Sequence, residues 1–465
     1  MKALNSIRLA GKEVLPLIEG GKGISVSNGQ STGAWAGAGG VGTFSGVNAD
    51  SYDDNGNIIP QIYHGKTRRE RHHELINYSI NGGITQAKIA HEMANGNGLI
   101  HVNVLWEMGA CETILEGILD GTGDLISGVT CGAGMPYRLA ELCAQRGKFY
   151  YPIVSSGRAF NALWKRAYNK FPEWLGGVVY EDPWRAGGHN GLSNSENPEQ
   201  PQDPMPRVIE LRKVMRECGL NDQPIIMAGG VWWLSEWQDW IDNPDLGPVA
   251  FQFGTRPLLT QESPISSAWK KRLVELKKGD VNLNKFSPTG FYSSAVRNPF
   301  LAELQQRSEH QVPFTTEVVG EHTAEMAIGA RGRKVYVTPI DKQRAQGWIA
   351  EGFNEAMRTP DNTLIFVTKE RENEILKDQI ECMGCLSQCT FSNWAQNEEG
   401  TTGKKSDPRS FCIQKTLQNI SHSEDVDDQL MFAGHNAYRF ASDPFYANGN
   451  VPTVKQLVER IQTGY

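Results

Sequence analysis

The feature that most constrains the fold is a regular alternation of short apolar segments with helix-like segments of about ten residues. Eight apolar segments are predicted as strands, beginning near residues 14, 41, 99, 125, 149, 175, 224 and 249. Leu99–Trp106 is apolar nearly throughout, as expected of a parallel strand buried on both faces. The pattern predicts an α/β fold, specifically a (β/α)8 TIM barrel. A doubly wound open sheet is the alternative, because periodicity alone does not distinguish the two.

The chain changes character after Pro264, where the regular alternation ends. Residues 1–265 are predicted to form the barrel, with an inserted loop at 48–66 that is rich in Asp, Asn, Gly and Pro. Residues 266–465 are predicted to form a C-terminal α+β extension.

Composition narrows the class of partners. The net charge is -7, with 46 Lys and Arg against 53 Asp and Glu, so no basic excess suggests nucleic-acid binding. No segment approaches the roughly 20 apolar residues of a membrane span, and the first residues lack the apolar region of a signal peptide. We therefore expect a cytoplasmic protein whose eight cysteines are thiols or metal ligands rather than disulfides.

Two glycine turns follow the seventh and eighth predicted strands. Gly229 and Gly230 come after residues 224–228, and Gly254 and Thr255 come after residues 249–253. Glycine lets backbone N–H groups approach an anion closely. The turns after strands seven and eight of a (β/α)8 barrel frequently bind phosphate. We predict that these turns hold the phosphate of a cofactor; the structural alternative is ordinary turn formation at strand ends.

A histidine framed by glycines follows the sixth predicted strand, in the sequence AGGHNG of residues 186–191. Its glycine neighbours leave His189 without steric cover at the end of the barrel where active sites lie. An ordinary histidine pKa near 6.5 suits acid or base catalysis near neutral pH. We predict a catalytic role for His189; the alternative is a loop histidine bonded to the backbone.

Four cysteines lie within a short part of the extension. Cys382, Cys385 and Cys389 have CxxCxxxC spacing, and Cys412 follows. Four thiolates at such spacing are typical ligands of zinc or an iron–sulfur cluster, whereas unrelated free thiols are the alternative. The remaining cysteines are predicted to be core thiols: Cys111, Cys131, Cys143 and Cys218.

The motifs AGGHNG, MAGGV and QFGTRP, in this order, resemble those of the nitronate monooxygenase (2-nitropropane dioxygenase) family, which also includes FMN-dependent enoyl-acyl-carrier-protein reductases. The resemblance covers roughly residues 14–260 and implies an FMN-binding barrel. It implies that His189 is the acid/base group near the flavin N5 atom. It also implies the following FMN-binding residues: Gly20, Gly21, Gly23, Asn103, Gly187, Gly188, Gly229, Gly230, Gly254 and Thr255.

The cysteine segment resembles a different group, the iron–sulfur flavoproteins of the dienoyl-CoA reductase type, in which a 4Fe-4S cluster feeds electrons to FMN. The gap between Cys389 and Cys412 is longer here than in that pattern. The resemblance implies a 4Fe-4S cluster on Cys382, Cys385, Cys389 and Cys412, with zinc as the alternative.

The preferred interpretation is a nitronate monooxygenase-like flavoprotein acting on a nitroalkane or nitronate. The alternative is an NAD(P)H-dependent enoyl reductase that acts on an enoyl thioester and uses an iron–sulfur relay. Either could exchange electrons with NAD(P)H or an electron-transfer protein, and a homo-oligomer is an open alternative to a monomer. A second alternative is a non-catalytic barrel with a structural zinc module.

Overall fold

The computed structural model describes residues 2–329 and 331–464 and contains a closed barrel of eight parallel strands. Each strand hydrogen-bonds to the next, and the last pairs with the first, with Phe251 opposite Leu17. The predicted (β/α)8 barrel is therefore confirmed, and the open sheet is wrong. The barrel strands are β1 (Leu17–Glu19), β2 (Val41–Ser45), β3 (Leu99–Leu105), β4 (Gly128–Gly132), β5 (Phe149–Val154), β6 (Val178–Glu181), β7 (Ile225–Ala228) and β8 (Val249–Phe253).

Helices surround the barrel between consecutive strands. They are α1 (Gly29–Gly37), α2 (Arg68–Ala94), α3 (Cys111–Thr122), α4 (Leu139–Ala144), α5 (Gly157–Arg166) and α6 (Pro204–Glu217). Between β7 and β8, where the (β/α)8 pattern predicts a helix, the chain forms only a 3-10 turn, Leu234–Trp237. Aromatic residues favour helices weakly, and here Trp237 packs edge-on against Trp240 at 4.9 Å.

The first barrel strand lies later than the apolar run at 14–18 predicts. Val14 belongs instead to an antiparallel hairpin of Ile7–Leu9 and Lys12–Val14. Leu9 and Val14 pack into the apolar cluster of the barrel interior. The hairpin therefore covers the end of the barrel opposite the carboxyl ends of the strands.

Helix α2 is one continuous helix of 27 residues, although two adjacent glycines lie within it. Gly82 and Gly83 do not break it. A Cβ atom at Gly82 would lie 1.8 Å from the Ala49 carbonyl oxygen, and one at Gly83 would lie 2.4 Å from Ile118 Cδ1. These glycines therefore let α2 pack closely against the inserted loop and α3.

The C-terminal part contains helices and small antiparallel sheets. Val312, Val335 and Phe366 belong to an apolar cluster that is separate from the barrel core. Leu417 and Ile461, nearer the end of the chain, belong to the core that also surrounds the barrel. The helices are Ser267–Leu273, Pro299–Glu309, Pro339–Ala350, Lys369–Ile380, Ile413–His422, Arg439–Ser442 and Val454–Thr463. The strands are Val281–Asn284, Ser293–Val296, Gln311–Pro313, Ala324–Ile328, Arg333–Val337, Glu355–Arg358 and Thr363–Val367.

Within residues 2–329 and 331–464, no helix has both the length and the apolar character that a membrane crossing requires.

Backbone packing between α1 and β2 provides a test of the fold. A Cβ atom at Gly42 would lie 1.9 Å from the Thr32 carbonyl oxygen. Gly42→Ala should therefore lower the free energy of unfolding by about 1–3 kcal/mol, as overpacked core substitutions do. The matched control is Gly347→Ala, because Gly347 lies in a helix with open space around it. The control should be neutral or stabilising by up to about 1 kcal/mol. Equal thermal melting curves for the two variants would contradict the packing.

Candidate active site

A cavity lies at the carboxyl ends of the barrel strands. It is lined by His189 and by all ten residues for which the sequence resemblance implies FMN contacts: Gly20, Gly21, Gly23, Asn103, Gly187, Gly188, Gly229, Gly230, Gly254 and Thr255. The strand order brings together residues more than 200 positions apart in the chain. Their roles remain predictions, but their convergence on one cavity is a property of the fold.

Most of these glycines have a structural reason to be glycine. Gly229 and Gly230 have left-handed φ angles of 97° and 78°, which residues with a side chain rarely adopt. A Cβ atom at Gly21 would lie 2.2 Å from Asn103 Cβ. Gly23 and Gly254 differ, because a Cβ atom at either would meet no protein atom within 4 Å. Packing therefore does not explain these two glycines, and the open space leaves room for a ligand close to the backbone.

Asn103 is oriented by a neighbour in the barrel interior. It lies on β3 opposite Thr130 of β4, and the Thr130 hydroxyl donates to Asn103 Oδ1 at 2.9 Å. This bond occupies the carbonyl end of the amide, so its N–H groups are available to donate to a ligand. Sequence reasoning missed Thr130, although the pairing of β3 with β4 could have indicated it.

His189 is held more firmly than its glycine neighbours suggest. It pairs with Ser293 in a short antiparallel sheet. Its Nε2 atom lies 2.6 Å from Ser287 Oγ, and Ser287 Oγ lies 2.9 Å from Thr289 Oγ1. Thr289 also lines the cavity, so a hydrogen-bonded chain leads from the imidazole to the cavity wall.

The charge of His189 follows from its burial. Desolvation lowers its pKa from 6.5 to about 4, because burial disfavours the imidazolium. The imidazole is therefore neutral at neutral pH and able to accept a proton. Ser287 and Thr289 lie far from His189 in the sequence, and no sequence signal marked them.

The C-terminal segment 432–436 completes the cavity by bonding to three of the barrel turns. The Gly434 N–H donates to Thr255 Oγ1 at 2.9 Å, and Asn436 Nδ2 donates to the Gly230 carbonyl at 2.7 Å. The backbone N–H of His435 donates to the Arg185 carbonyl at 3.3 Å. Because Thr255 is an acceptor in this contact, its own hydroxyl hydrogen remains free to bond an anion.

Arg256, the arginine of the QFGTRP motif, has a structural position. It is 1% exposed. Its Nη1 donates to the Trp232 carbonyl at 2.9 Å, and its guanidinium lies 4.8 Å from the Trp233 ring centroid. Its Nη2 lies 3.8 Å from Asp443 Oδ2, seven residues beyond segment 432–436. Arg256 therefore anchors the turn after β8 instead of facing the cavity.

The chain beyond Gly23 is strained where it passes the cavity. Ile24 and Ser25 have left-handed φ angles of 23° and 60°, which are rare for residues with side chains and concentrate at functional sites. Nearby, Lys22 Nζ donates to Glu19 Oε1 at 2.9 Å. Glu19 is fully buried, so this ion pair helps to fix the exit of β1.

The predicted metal site receives no support from the structure. Among the described residues, no group of three or more His, Cys, Asp or Glu side chains could hold a metal ion. Cys382 Sγ instead accepts a hydrogen bond from Ser392 Oγ at 3.1 Å, and Cys385 lines the cavity. Burial raises the pKa of Cys385, of Cys389 (to about 11) and of Cys412 (to about 12), which favours neutral thiols.

The other cysteines mostly match their predicted place in the core. Cys111, Cys131 and Cys143 are buried, whereas Cys218 is only half-buried.

The cavity fits FMN on the chemistry of its walls. Open space beside Gly23 and Gly254, the free hydroxyl hydrogen of Thr255 and the amide N–H groups of Asn103 are suited to a phosphate and a heterocyclic ring. The apolar side chains that also line the cavity would cover such a ring.

No family model matches the chain, and no curated protein matches it in sequence. Solved structures do match. The enoyl reductase domain of MlnA from Bacillus amyloliquefaciens is 12% identical with a TM-score of 0.56, covering 97% of this chain and 93% of that one. FabK from Thermotoga maritima is 14% identical with a TM-score of 0.50, covering 97% and 92%. At these identities the likeness shows the fold, a (β/α)8 barrel with its C-terminal part.

The open space beside Gly254 yields a test. Gly254→Ala should leave the melting temperature of the cofactor-free protein unchanged, because no protein atom lies within 4 Å of the added Cβ atom. It should weaken FMN binding by about 10-fold or more, because the side chain would occupy space beside the predicted phosphate position. Calorimetric titration with FMN measures the affinity. Unchanged affinity would show that FMN does not lie at this turn.

Proposed function

We propose that the protein is an FMN-dependent oxidoreductase that moves electrons between a carbon-acid substrate and the flavin, with His189 as the acid/base group. The observation that carries the proposal is the convergence of His189 and the predicted FMN-binding glycine turns on one cavity at the carboxyl ends of the strands. Active sites of (β/α)8 barrels lie at that end. An iron–sulfur relay is not part of the proposal, because the described residues contain no metal-binding group.

The turns after β7 and β8 would hold the FMN phosphate through backbone N–H groups and the Thr255 hydroxyl. Asn103 would donate to the ring from the barrel, and Gly20, Gly21 and Gly23 would pass beside it. FMN, when bound, supplies the redox chemistry. The apolar walls would exclude water from the reacting atoms.

His189 would act on the substrate's proton. A neutral imidazole can accept a proton from the carbon beside a nitro or carbonyl group, and the Ser287–Thr289 chain could pass that proton onward. The same imidazole could return a proton to an enolate in the reductive direction.

Two substrate classes remain. The sequence motifs favour a nitronate monooxygenase-like reaction on a small nitroalkane or nitronate. A structural observation favours an enoyl thioester: Ile413, Leu417 and Ile420, at helical spacing on one helix, line the cavity and offer an apolar wall for an acyl chain. The enoyl reductase domain of MlnA shares the fold over 97% of this chain.

Anaerobic spectral titration distinguishes the two classes. If the protein is an enoyl reductase, NADH or NADPH should bleach the flavin absorbance and an enoyl thioester should restore it. If it is nitronate monooxygenase-like, a nitroalkane or its nitronate should bleach the flavin directly. A colourless protein that contains zinc would contradict both and favour the non-catalytic barrel.

His189→Ala should lower kcat/KM by about 10²–10⁴-fold, the usual contribution of an acid/base group. In the wild type, activity that requires the neutral imidazole should be retained below pH 6 and fall as pH approaches about 4, because burial lowers the pKa. The matched control is His73→Ala, an exposed histidine on α2, which should keep wild-type activity. Unchanged turnover of the His189 variant with bound FMN would remove His189 from the reaction.

A further inference from the structure

Glu181 occupies the floor of the cavity. Side chains alternate between the two faces of a strand, and Val179, two residues earlier on β6, belongs to the apolar cluster of the barrel interior. Glu181 therefore also points into the barrel, where it lies opposite Ala228 of β7. It forms the uppermost interior layer together with Gln252 of β8, and both line the cavity.

Nothing in the described chain neutralises this carboxyl group. The residue opposite it on β7 is Ala228, and Ile153 on β5 lies opposite Val179; both are uncharged and line the cavity. Lys22, a cation that also lines the cavity, is paired with Glu19. No hydrogen bond from the described residues offsets its burial.

The ionisation of Glu181 follows from this environment. Burial, and then repulsion by the carboxylate of Asp182, raises its pKa from 4.5 to about 8. At neutral pH it is therefore a neutral carboxylic acid, which can donate a hydrogen bond.

The carboxylate of the neighbouring Asp182, by contrast, has a structural role. Its Oδ1 atom accepts hydrogen bonds from the backbone N–H groups of Trp184 and Arg185 at 2.9 and 2.8 Å, which form the turn after β6. Glu181 supports no such turn. Glu181 is half-buried and lines the cavity, so its side chain is placed to meet a ligand there.

We propose that Glu181 is a neutral acid that donates a hydrogen bond to the flavin ring from the cavity floor and thereby favours the reduced flavin. The inference rests on the proposed function, since it requires bound FMN. Two-electron reduction increases the negative charge on the ring, and charge near the ring tunes its electronics. A neutral donor stabilises that charge, whereas a carboxylate opposes it. Glu181 lies at the end of β6, whereas His189 lies beyond the turn that follows β6. We therefore assign the hydrogen bond to the ring to Glu181 and proton transfer with the substrate to His189.

The test is a redox titration of the bound flavin with dithionite from pH 6.5 to 9.5. Below about pH 8, Glu181 is already protonated and takes up no proton. Above it, reduction should be coupled to uptake of one further proton per two electrons, because the reduced ring favours the protonated carboxyl. The midpoint potential of the wild type should therefore fall more steeply with pH above about 8.

Glu181→Gln keeps an N–H donor but cannot ionise, so its potential should keep the shallow pH dependence throughout. The matched control is Glu107→Gln, which removes another carboxyl group of the cavity, one that accepts from Ser387. This control should keep the steeper dependence. Parallel pH profiles for the wild type and Glu181→Gln would overturn the inference.

Infrared spectroscopy separates this inference from the proposed function. The protein without FMN should show the C=O stretch of a protonated carboxyl group at pH 7, and Glu181→Gln should lose it. Absence of FMN binding would refute the proposed function and, with it, the role of Glu181 toward the ring. If FMN binds but the infrared band is absent, the neutral state of Glu181 is refuted and the proposed function stands.

Discussion

The site depends on the hydrogen bonds between segment 432–436 and the turns after β6, β7 and β8. A glycine turn presents backbone N–H groups only while its conformation is fixed, and these turns lie at the open end of the barrel. Asn436 bonds the Gly230 carbonyl, and the Gly434 N–H bonds the Thr255 hydroxyl. The C-terminal part of the chain therefore fixes the turns that are predicted to bind the cofactor.

The same part of the chain also surrounds His189 and forms one wall of the cavity. Ser293 and Ser287 position His189, and Phe432 lies edge-on to its ring at 5.3 Å. The helix Ile413–His422 supplies an apolar wall. The barrel holds the predicted phosphate and ring contacts, whereas the extension buries the imidazole and lowers its pKa. Both parts of the chain therefore contribute to the walls of the one cavity.

Sequence alone predicted what depends on local pattern. The apolar periodicity identified eight barrel strands, and the motif order pointed to the glycines that line the cavity. It did not identify Thr130, Ser287 or Asn436, because each matters only through a partner far away in the chain. Nor does local pattern explain Gly82, whose missing side chain permits close packing within a helix. The spacing of Cys382, Cys385 and Cys389 suggested a metal, but the described residues form no group that could hold a metal ion.

The central claim is that the turns after β7 and β8 bind a phosphate. The most direct measurement compares the affinities of FMN and riboflavin for the cofactor-free protein, since the two ligands share the ring and differ in the phosphate. Hydrogen bonds to a charged group contribute about 1.5–3 kcal/mol each. We therefore expect FMN to bind about 10²-fold more tightly or better. Equal affinities would show that these turns do not hold the phosphate.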